Sequence, residues 1–353
     1  MIEVGLVGCG YWGPNLIRNF MKTGECRVAA VADRRPERRA YVRENFPDVR
    51  AVEDHTDLLL DGRIDAVVIA TEPPTHHHLA AEFIEAGRSV LVEKPLAMSV
   101  AEASDLIERA ERRGVVLMVG HTFEFNPAVR ALKRYLRAGE VGEVYYLYAH
   151  RLNLGIVRRE INAMWNLAPH DLSIIIHLLE MEPVAVSATG VSCLQRKIED
   201  VVFLNLVFAG GVTAHVHVSW LDPGKVRRLT VVGSRKMIVY DDVAEAKIRI
   251  YDKGITRTGP SSPLDQPDDF SKFQLIQRAG DVLLPHIEFT EPLSLECRHF
   301  VECVREGKRP LTDGENGLRV VRVLEAAQKS LMNGGVMVET GASERRAALS
   351  AAG

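Results

Sequence analysis

Short apolar runs alternate with segments of helical periodicity through the first third of the chain. The apolar runs predict buried strands at 2–7, 28–32, 64–70, 89–92 and 115–119. The clearest helical segments between them are 75–86 and 99–113, which end at Gly87 and Gly114. Strands that alternate with helices predict a parallel, doubly wound sheet, whose ligand binds outside the carboxyl ends of the strands.

The pattern changes after about residue 122, where period-2 and apolar runs follow one another with short turns. Such runs predict an open, mostly antiparallel sheet with strands at 143–151, 184–193, 200–208, 212–220, 226–233 and 236–240. Helices are expected at 127–138, 166–180, 291–306 and 313–333, and a long loop at 252–290. We therefore predict an α/β protein with a Rossmann domain at 1–121, an α+β domain for substrate binding and oligomerisation at 122–340, and a frayed tail at 341–353.

The first strand leads into a glycine-rich turn, and the second strand ends on an acid. Gly8 permits the tight turn, Gly10 lets a pyrophosphate approach the backbone, and Gly13 lets the next helix pack close to the strand. Asp33 is placed to accept a hydrogen bond from a ribose 2′-hydroxyl, which favours NAD over NADP. Arginines follow it at once, beginning with Arg34, and an arginine there could instead hold a 2′-phosphate.

Composition and charge exclude several classes of function. The 353 residues are 46% hydrophobic and carry a net charge of −3 without a basic stripe, which argues against a nucleic-acid surface. No run of 18 apolar residues predicts a membrane span, and strand structure from residue 2 leaves no room for a signal peptide. Five scattered cysteines without CxxC spacing fit reduced thiols, so we expect a cytoplasmic protein.

Three polar segments are expected to meet at the carboxyl edge of the parallel sheet: 71–76, Glu93-Lys94-Pro95 and 166–171. The Lys94 ammonium could hydrogen-bond a substrate oxygen and stabilise developing negative charge. From position alone, a surface lysine paired with Glu93 is an equally good interpretation. A metal at His76-His77-His78 is disfavoured because consecutive helical side chains diverge, and His215 and His217 fit cross-strand packing better than chelation.

These segments resemble the glucose–fructose oxidoreductase, inositol dehydrogenase and rhizopine-catabolism superfamily (Gfo/Idh/MocA). The resemblance rests on the glycine turn, Asp33, the loop at 71–76, Glu93-Lys94-Pro95, the stretch 120–127, the Pro-His-Asp at 169–171 and the segment from Glu291 onwards. It implies Lys94 and His170 as catalytic residues and a cis Lys94–Pro95 bond. It further implies a cofactor set of Gly8, Gly10, Tyr11, Trp12, Gly13, Asp33, Arg34, Thr71, Pro73, His76, Glu93 and Lys94, although Tyr11 and Trp12 have a comparable interpretation as packing residues.

One position departs from the family pattern. The family often has aspartate four residues before the catalytic histidine, where this chain has Asn166. An amide cannot titrate, so His170 is expected to be the principal acid/base, with a pKa of roughly 6–7.5. A capping or buried histidine is the alternative interpretation of His170.

Within the superfamily, residues 10–20 and 151–165 resemble enzymes that act on nucleotide sugars, most closely UDP-N-acetylglucosamine or UDP-N-acetylglucosaminuronate 3-dehydrogenases. The implied substrate contacts are Lys94, Asn126, Arg151, Asn153, Arg158, Asn166 and His170. Arginines suit a diphosphate, but Arg151 and Arg158 could equally be surface or interface residues. We predict NAD-dependent oxidation of a sugar hydroxyl, at C3 as the resemblance to the 3-dehydrogenases implies, by a homodimer or homotetramer, with no metal, nucleic-acid or membrane partner. A dehydrogenase of a free sugar or inositol, a ketosugar reductase and a non-catalytic NAD-binding sensor are the alternatives.

Overall fold

The computed structural model describes residues 1–258 and 274–342, which form two large sheets covered by helices. The first sheet is parallel and has six strands in the order β3-β2-β1-β4-β5-β6. These strands are β1 (Ile2–Val7), β2 (Cys26–Ala32), β3 (Arg50–Val52), β4 (Ala66–Ile69), β5 (Ser89–Glu93) and β6 (Leu117–Gly120). The helices around them are α1 (Gly13–Lys22), α2 (Pro36–Asn45), α3 (Thr56–Leu59), α4 (His76–Glu85) and α5 (Val100–Arg113), with a 3-10 turn at Pro73–Thr75.

The apolar runs explain this sheet. Every residue of β4 is buried, as expected for a strand covered by helices on both faces. α5 begins at Ser99, whose hydroxyl accepts from the Glu102 N–H, and ends at Gly114 in the left-handed conformation. The predicted Rossmann-type sheet is therefore confirmed.

The second sheet has nine strands in the order β16-β13-β12-β11-β7-β10-β9-β8-β17. Its strands are β7 (Val144–Leu154), β8 (Pro183–Val191), β9 (Val201–Phe208), β10 (Thr213–Ser219), β11 (Leu221–Gly233), β12 (Met237–Asp241), β13 (Ile248–Tyr251), β16 (Val282–Leu283) and β17 (Val338–Glu339). A separate hairpin consists of β14 (Gly254–Thr258) and β15 (Gln274–Arg278). The helices are α6 (Pro127–Arg137), α7 (Ala163–Leu179), α8 (Pro292–Glu306) and α9 (Gly314–Met332), with a 3-10 turn at Thr122–Phe125.

The prediction of a mostly antiparallel second sheet is confirmed, with one parallel pair. β7 lies between β10 and β11, so these two consecutive strands do not form a hairpin with each other. β7 runs parallel to β10 and antiparallel to β11. Alternating burial within each strand marks a core-facing side but carries no information about strand order, so the sequence could not reveal this insertion.

Two other expectations need correction. α7 begins at Ala163, capped by the Asn162 side chain on the Trp165 N–H, and not at 166. The proposed loop 252–290 contains β14, β15 and β16 in its described part, because backbone groups there pair as strands despite weak periodicity. Residues 259–273 and most of the predicted tail, from 343, lie outside the described residues.

The last two helices return to the first sheet. α8 packs on α1 through Phe20 and Phe300, and α9 contacts both α5 and α7. Arg18 and Asn19 of α1 donate to the Glu291 carboxylate at the start of α8. These helices therefore connect the two sheets. The domain boundary at residue 121 stays a prediction. Within the described residues, no helix is long and apolar enough to cross a membrane.

Candidate active site

The glycine turn after β1 has the geometry of a phosphate cradle. Gly8 has φ +92°, and a Cβ there would lie 2.7 Å from the Ala70 carbonyl oxygen. Gly13 is equally constrained, since its Cβ would lie 3.0 Å from the Gly8 carbonyl oxygen. A Cβ at Gly10 would meet nothing closer than an Arg35 nitrogen at 3.7 Å, so this side of the turn is open for a ligand.

The start of α1 completes the cradle. Trp12 is the N-cap residue but makes no side-chain cap, and the first turn contains no acid. The positive end of the helix dipole is thus open to an anion, although Pro14 has no N–H and the Asn15 N–H donates to the Trp12 carbonyl oxygen at 3.0 Å. Tyr11 and Trp12 are exposed in the turn. A pyrophosphate fits this arrangement, and the residues would hold the diphosphate of a dinucleotide.

Asp33 lies at the end of β2, buried, with both oxygens engaged. Oδ2 accepts from the Cys9 N–H at 2.8 Å and from Arg35 Nη2 at 3.0 Å. Oδ1 accepts from the Arg35 backbone N–H at 3.0 Å and from its Nε at 3.1 Å. Burial raises the Asp33 pKa, but the hydrogen bonds from Arg35 outweigh it, and the net pKa lies below the usual value. Asp33 is therefore an anion at the ribose end of the cradle, and a ribose hydroxyl must share it with Arg35.

The arginine next to the cofactor edge is thus Arg35, and Arg34 is exposed without contacting Asp33. Arg38 also contributes, since its guanidinium donates to the carbonyl oxygens of Cys9 and Gly10. The sequence did not reveal these pairings because a run of arginines does not show which side chain turns back toward the strand.

Two strand-end loops are tied together by one buried histidine. His76 Nδ1 lies 2.8 Å from the Pro95 carbonyl oxygen, and its Nε2 lies 3.2 Å from the Thr71 carbonyl oxygen. The Thr71 and Thr75 hydroxyls are hydrogen-bonded at 2.6 Å, and Pro73 begins the 3-10 turn between them. His76 therefore holds the two loops in place, and the Lys94–Pro95 bond between them is cis.

Lys94 reaches across the cleft to the second domain. Its Nζ donates to the Asn166 carbonyl oxygen of α7 at 2.8 Å. Burial lowers the pKa of Lys94 to about 8, although the neighbouring Glu93 carboxylate opposes the shift. Burial likewise raises the pKa of Glu93 to about 7, against the attraction of the Lys94 ammonium. Lys94 is therefore a buried ammonium close to its titration point, which is unusual for a surface lysine.

His170 faces the same space from α7. Its ring packs edge-on against Phe123 with centroids 5.1 Å apart. Burial lowers its pKa well below 6.5, and the positive charges of Lys94, Arg151 and Arg227 lower it further. The predicted pKa of roughly 6–7.5 is therefore wrong, because sequence spacing showed neither the burial of the ring nor the cations near it.

Asn166 lies one helical turn before His170. Its backbone oxygen binds Lys94, and its side-chain oxygen accepts from Trp220 Nε1 at 3.3 Å. Pro169, between the two residues, is inside α7 and donates no backbone hydrogen bond. Asn166, which the sequence analysis places among the substrate contacts, fixes Lys94 through its backbone, and its role toward the substrate stays a prediction.

Two predicted substrate residues have their polar groups committed elsewhere. Arg151 is buried, and its Nε and Nη2 donate to the Asp171 carboxylate at 2.7 and 3.1 Å. The Asn126 side chain caps α6 at Ala128 and donates to the Tyr240 hydroxyl at 3.1 Å. A substrate diphosphate would have to compete with these buried partners. The sequence could not show this, because Asp171 and Tyr240 are far along the chain from the side chains that they bind.

The remaining predicted substrate residues are partly exposed near the end of β7. Asn153 lies beside Gly155, and Arg158 is close enough to lower the pKa of Lys94 by charge repulsion, after burial and Arg151. No carboxylate among the described residues pairs with the Arg158 guanidinium. Of the two arginines whose charge lowers the pKa of Lys94, Arg158 is therefore the one available to an anionic ligand, since Arg151 is paired with Asp171.

The structure also contains a largely buried polar cluster that the sequence analysis did not predict. It consists of His121, Glu124, His177 and Asn316. His121 follows β6 directly, which is the one positional signal that could have revealed it. Among the described residues, no group of three or more His, Cys, Asp or Glu side chains has the geometry of a metal site.

Comparisons with known proteins agree with this geometry. Residues 2–121 match the family described as "Oxidoreductase family, NAD-binding Rossmann fold", and residues 129–239 match the "GFO/IDH/MocA C-terminal domain". A scyllo-inositol 2-dehydrogenase (NAD(+)) of Bacillus subtilis is 27% identical over 94% of this chain and 95% of its own. A UDP-N-acetylglucosamine 3-dehydrogenase of Acidithiobacillus ferrooxidans is 28% identical over 91% of this chain and 94% of its own. A crystal structure of an oxidoreductase from Magnetospirillum magnetotacticum is 30% identical, with a TM-score of 0.77 over 92% of this chain and 99% of that one.

Proposed function

Because this chain belongs to the GFO/IDH/MocA oxidoreductase family, we propose that it oxidises a secondary alcohol of a sugar with Lys94 and His170 as its catalytic residues. The chain is an NAD-dependent oxidoreductase of the group that acts on CH–OH, since its relatives are named dehydrogenases. The observation that carries the residue assignment is the Lys94–Asn166 hydrogen bond of 2.8 Å, which brings the strand-end ammonium to the helix that bears His170.

The two side chains suit complementary steps. Oxidation needs a neutral imidazole to take the hydroxyl proton, and the depressed pKa of His170 keeps the ring neutral. Lys94 donates to the oxygen as negative charge develops on it. When bound, NAD+ accepts the hydride that leaves the carbinol carbon. Positioned proton transfer typically contributes roughly 10²–10⁴-fold in rate, and one oxyanion donor roughly 10²–10³-fold.

The cofactor residues follow from the cradle. Gly8, Gly10 and Gly13 would admit the pyrophosphate, and Asp33 would accept from the adenosine ribose. Thr71, Pro73 and His76 shape the loop beside the nicotinamide end, and Trp12 lies close enough to Glu93 for its indole N–H to lower that group's pKa, after the larger effects of burial and Lys94. Arg34 has no contact that supports its predicted cofactor role.

For the substrate, we propose a UDP-N-acetylhexosamine or its uronate, oxidised at C3. Arg158 supports this proposal because it is a cation near Lys94 without a carboxylate partner among the described residues. The relative from Acidithiobacillus ferrooxidans, named for oxidation at C3 of such a sugar, supports it as well. A free polyol is the second candidate, since the inositol dehydrogenase is similar to almost the same degree and Arg151 is already paired.

A substrate panel separates the two candidates. Purified enzyme with NAD would be assayed for NADH formation on UDP-N-acetylglucosamine, UDP-N-acetylglucosaminuronate, scyllo-inositol and apiose. We expect the highest kcat/KM on a UDP-sugar, and Arg158→Met should raise KM for that sugar more than it lowers kcat. A preference for scyllo-inositol, unaffected by Arg158→Met, would contradict the UDP-sugar proposal. Absence of NADH with every substrate, despite intact NAD binding, would contradict the catalytic proposal.

We also propose that the chain assembles with copies of itself through the open face of the nine-stranded sheet. Helices cover one face, while the other presents the aromatic and imidazole side chains of Tyr146, Tyr148, His150, Phe203 and His217. An apolar face of this kind suits a second copy. Sedimentation analysis should give a dimer or tetramer, and Tyr148→Glu should shift it toward the monomer; a monomeric wild-type enzyme would contradict the proposal.

A further inference from the structure

We propose that His121 receives the proton that His170 takes from the substrate hydroxyl, so that two histidines act in series. This inference rests on the proposed function, because it concerns the proton released in the same oxidation. It adds a residue to the chemistry that neither the spacing of the sequence nor the named activities of the relatives assign. Four features of the structure support it in turn.

The first feature is the position of His121 at the carboxyl edge of the parallel sheet. Glu93 of β5 pairs in register with Gly120 of β6. The next residues, Lys94 and His121, therefore leave neighbouring strands side by side, about 5 Å apart at the backbone. The His121 side chain is fully buried. It belongs to the same strand edge as the proposed catalytic lysine.

The second feature fixes which ring nitrogen of His121 carries hydrogen. An ionised Glu124 carboxylate only accepts, so Asn316 must turn its Nδ2 toward Glu124 Oε1, at 3.0 Å. The Asn316 Oδ1 then faces His121 Nδ1 at 2.6 Å and accepts from it. Burial lowers the pKa of His121, so the ring is neutral with hydrogen on Nδ1 and a lone pair on Nε2. That Nε2 is buried and has no partner among the described residues.

The third feature is the complementary state of His170. Its Nδ1 is buried without a hydrogen-bond partner among the described residues. If Nε2 is to accept the hydroxyl proton, the neutral ring must carry hydrogen on Nδ1. His121 lies close enough to His170 for a positive charge on it to oppose protonation of His170, and each of the two rings has one buried nitrogen without a hydrogen-bond partner among the described residues.

The fourth feature gives the transfer a direction. His170 is surrounded by the positive charges of Lys94, Arg151 and Arg227. His121 also lies near Lys94, but the Glu124 carboxylate is 3.9 Å from its Nδ1 and favours the charged ring. The other oxygen of Glu124 lies 2.9 Å from His177 Nδ1. A proton is therefore more stable on His121 than on His170.

The proton moves in two transfers, first from the substrate to His170 and then from His170 to His121. The substrate O–H bond breaks and its proton binds His170 Nε2, while the hydride leaves the carbinol carbon to the oxidised nicotinamide. The His170 Nδ1–H bond then breaks, and that proton binds His121 Nε2 through one intervening water molecule, because the two nitrogens are not hydrogen-bonded to each other. His170 is neutral again, and His121 is an imidazolium facing Glu124 through Asn316.

The tautomer of His121 is testable without turnover. Enzyme labelled with 15N-histidine, free of cofactor and substrate, would be examined by 1H–15N correlation spectra, and His121 assigned from the signals lost in His121→Asn. We expect a neutral ring with hydrogen on Nδ1 at pH 7. In Glu124→Gln the new side-chain amide can donate as well as accept, so it no longer fixes the orientation of the Asn316 amide. The spectral signature of hydrogen on His121 Nδ1 should then weaken. Hydrogen on Nε2 in the wild-type enzyme would overturn the inference.

The relay itself is tested by following NADH and proton release together after rapid mixing, with a pH indicator and the sugar that performs best in the substrate panel. His121→Asn keeps a donor to Asn316 and deletes the Nε2 acceptor. The NADH burst should persist, while proton release should slow by roughly 10²-fold and lag behind it. His78→Asn, at an exposed position of α4, is the control and should release protons with the NADH burst.

Proton release that stays coincident with NADH in His121→Asn would overturn the relay while leaving the proposed function intact. Glu124→Gln gives a second variant if His121→Asn fails to fold: it should also delay proton release, and an unchanged rate would count against the relay. Failure of the proposed function has a different signature, because no sugar would then give NADH even with the wild-type enzyme.

Discussion

The two sides of the cleft differ in chemistry. The side formed by the glycine turn, which we call the cofactor wall, offers mainly backbone groups. The side around His170, which we call the substrate wall, contains many buried charged groups. On the cofactor wall, the glycine turn presents open amide groups, and one ion pair, Asp33 with Arg35, lies at its edge. On the substrate wall, Arg151 and Asp171 form a buried ion pair, and the pKa of His170 is depressed by burial and by the positive charges of Lys94 and Arg151. The first wall recognises a diphosphate by shape, and the second sets the protonation of the reacting groups.

The buried ion pair of the substrate wall should give the largest effect when it is broken. Asp171→Asn leaves the Arg151 guanidinium buried without its counter-ion, and we expect a loss of roughly 3–5 kcal/mol in the free energy of unfolding. Urea denaturation measures it. The double variant Arg151→Met/Asp171→Leu is the control and should recover most of the loss; a single variant as stable as wild type would show that the pair does not organise this wall.

Lys94 should matter for turnover and not for folding. Lys94→Met keeps the volume of the side-chain stem but removes the charge, and we expect kcat to fall by roughly 10²–10³-fold. NAD binding, measured by calorimetry, should stay within a few-fold of wild type because the glycine turn is untouched. A variant with near-native kcat would remove Lys94 from the catalytic residues.

The ease of prediction differs between the walls for a physical reason. The glycine turn, Asp33 and the strand-end lysine were predictable because each lies at a fixed offset from a strand in a local βαβ unit. The environments of His170 and Arg151 were not, since their partners come from β7, β11 and α7, which meet only after the mixed sheet has formed. The insertion of β7 between β10 and β11 is the same kind of non-local fact. The start of α7 was predicted three residues too late, since the helix is capped by Asn162 and begins at Ala163, with Pro169 in its interior.

The pH profile of oxidation should show the charge of the substrate wall. Activity should rise with pH as His170 loses its proton, and this limb should lie below pH 6.5 because the folded-state pKa is depressed. It should fall again near pH 8 as the Lys94 ammonium is lost. His170→Asn should abolish the ascending limb, and a limb that persists would assign the proton to another group.

Glu93→Gln tests which group produces the descending limb of the pH profile. The Glu93 carboxylate opposes the lowering of the Lys94 pKa by burial, so its removal should lower that pKa further. The descending limb should then move to lower pH, while the ascending limb keeps its position. A descending limb that stays near pH 8 would show that Lys94 does not produce it.

The smallest expected effect is on cofactor choice at the other wall. Arg35→Ala removes one side-chain donor from each Asp33 oxygen and removes a cation, so the preference for NAD over NADP should widen by a few-fold to roughly tenfold. Arg34→Ala is the matched control, because Arg34 is exposed and does not contact Asp33. Calorimetric titration with both cofactors measures the ratio, and a preference that narrows in Arg35→Ala would contradict the role given to this pair.

A crystal structure of the enzyme with NADH and the best substrate of the panel would test directly whether the two walls form one catalytic site. We predict that the reacting hydroxyl oxygen lies within roughly 2.6–3.2 Å of both Lys94 Nζ and His170 Nε2. The nicotinamide should lie on the same face of that carbon as its departing hydrogen. A reacting oxygen that contacts neither side chain, or only one while another titratable group holds its proton, would contradict the pairing of Lys94 with His170.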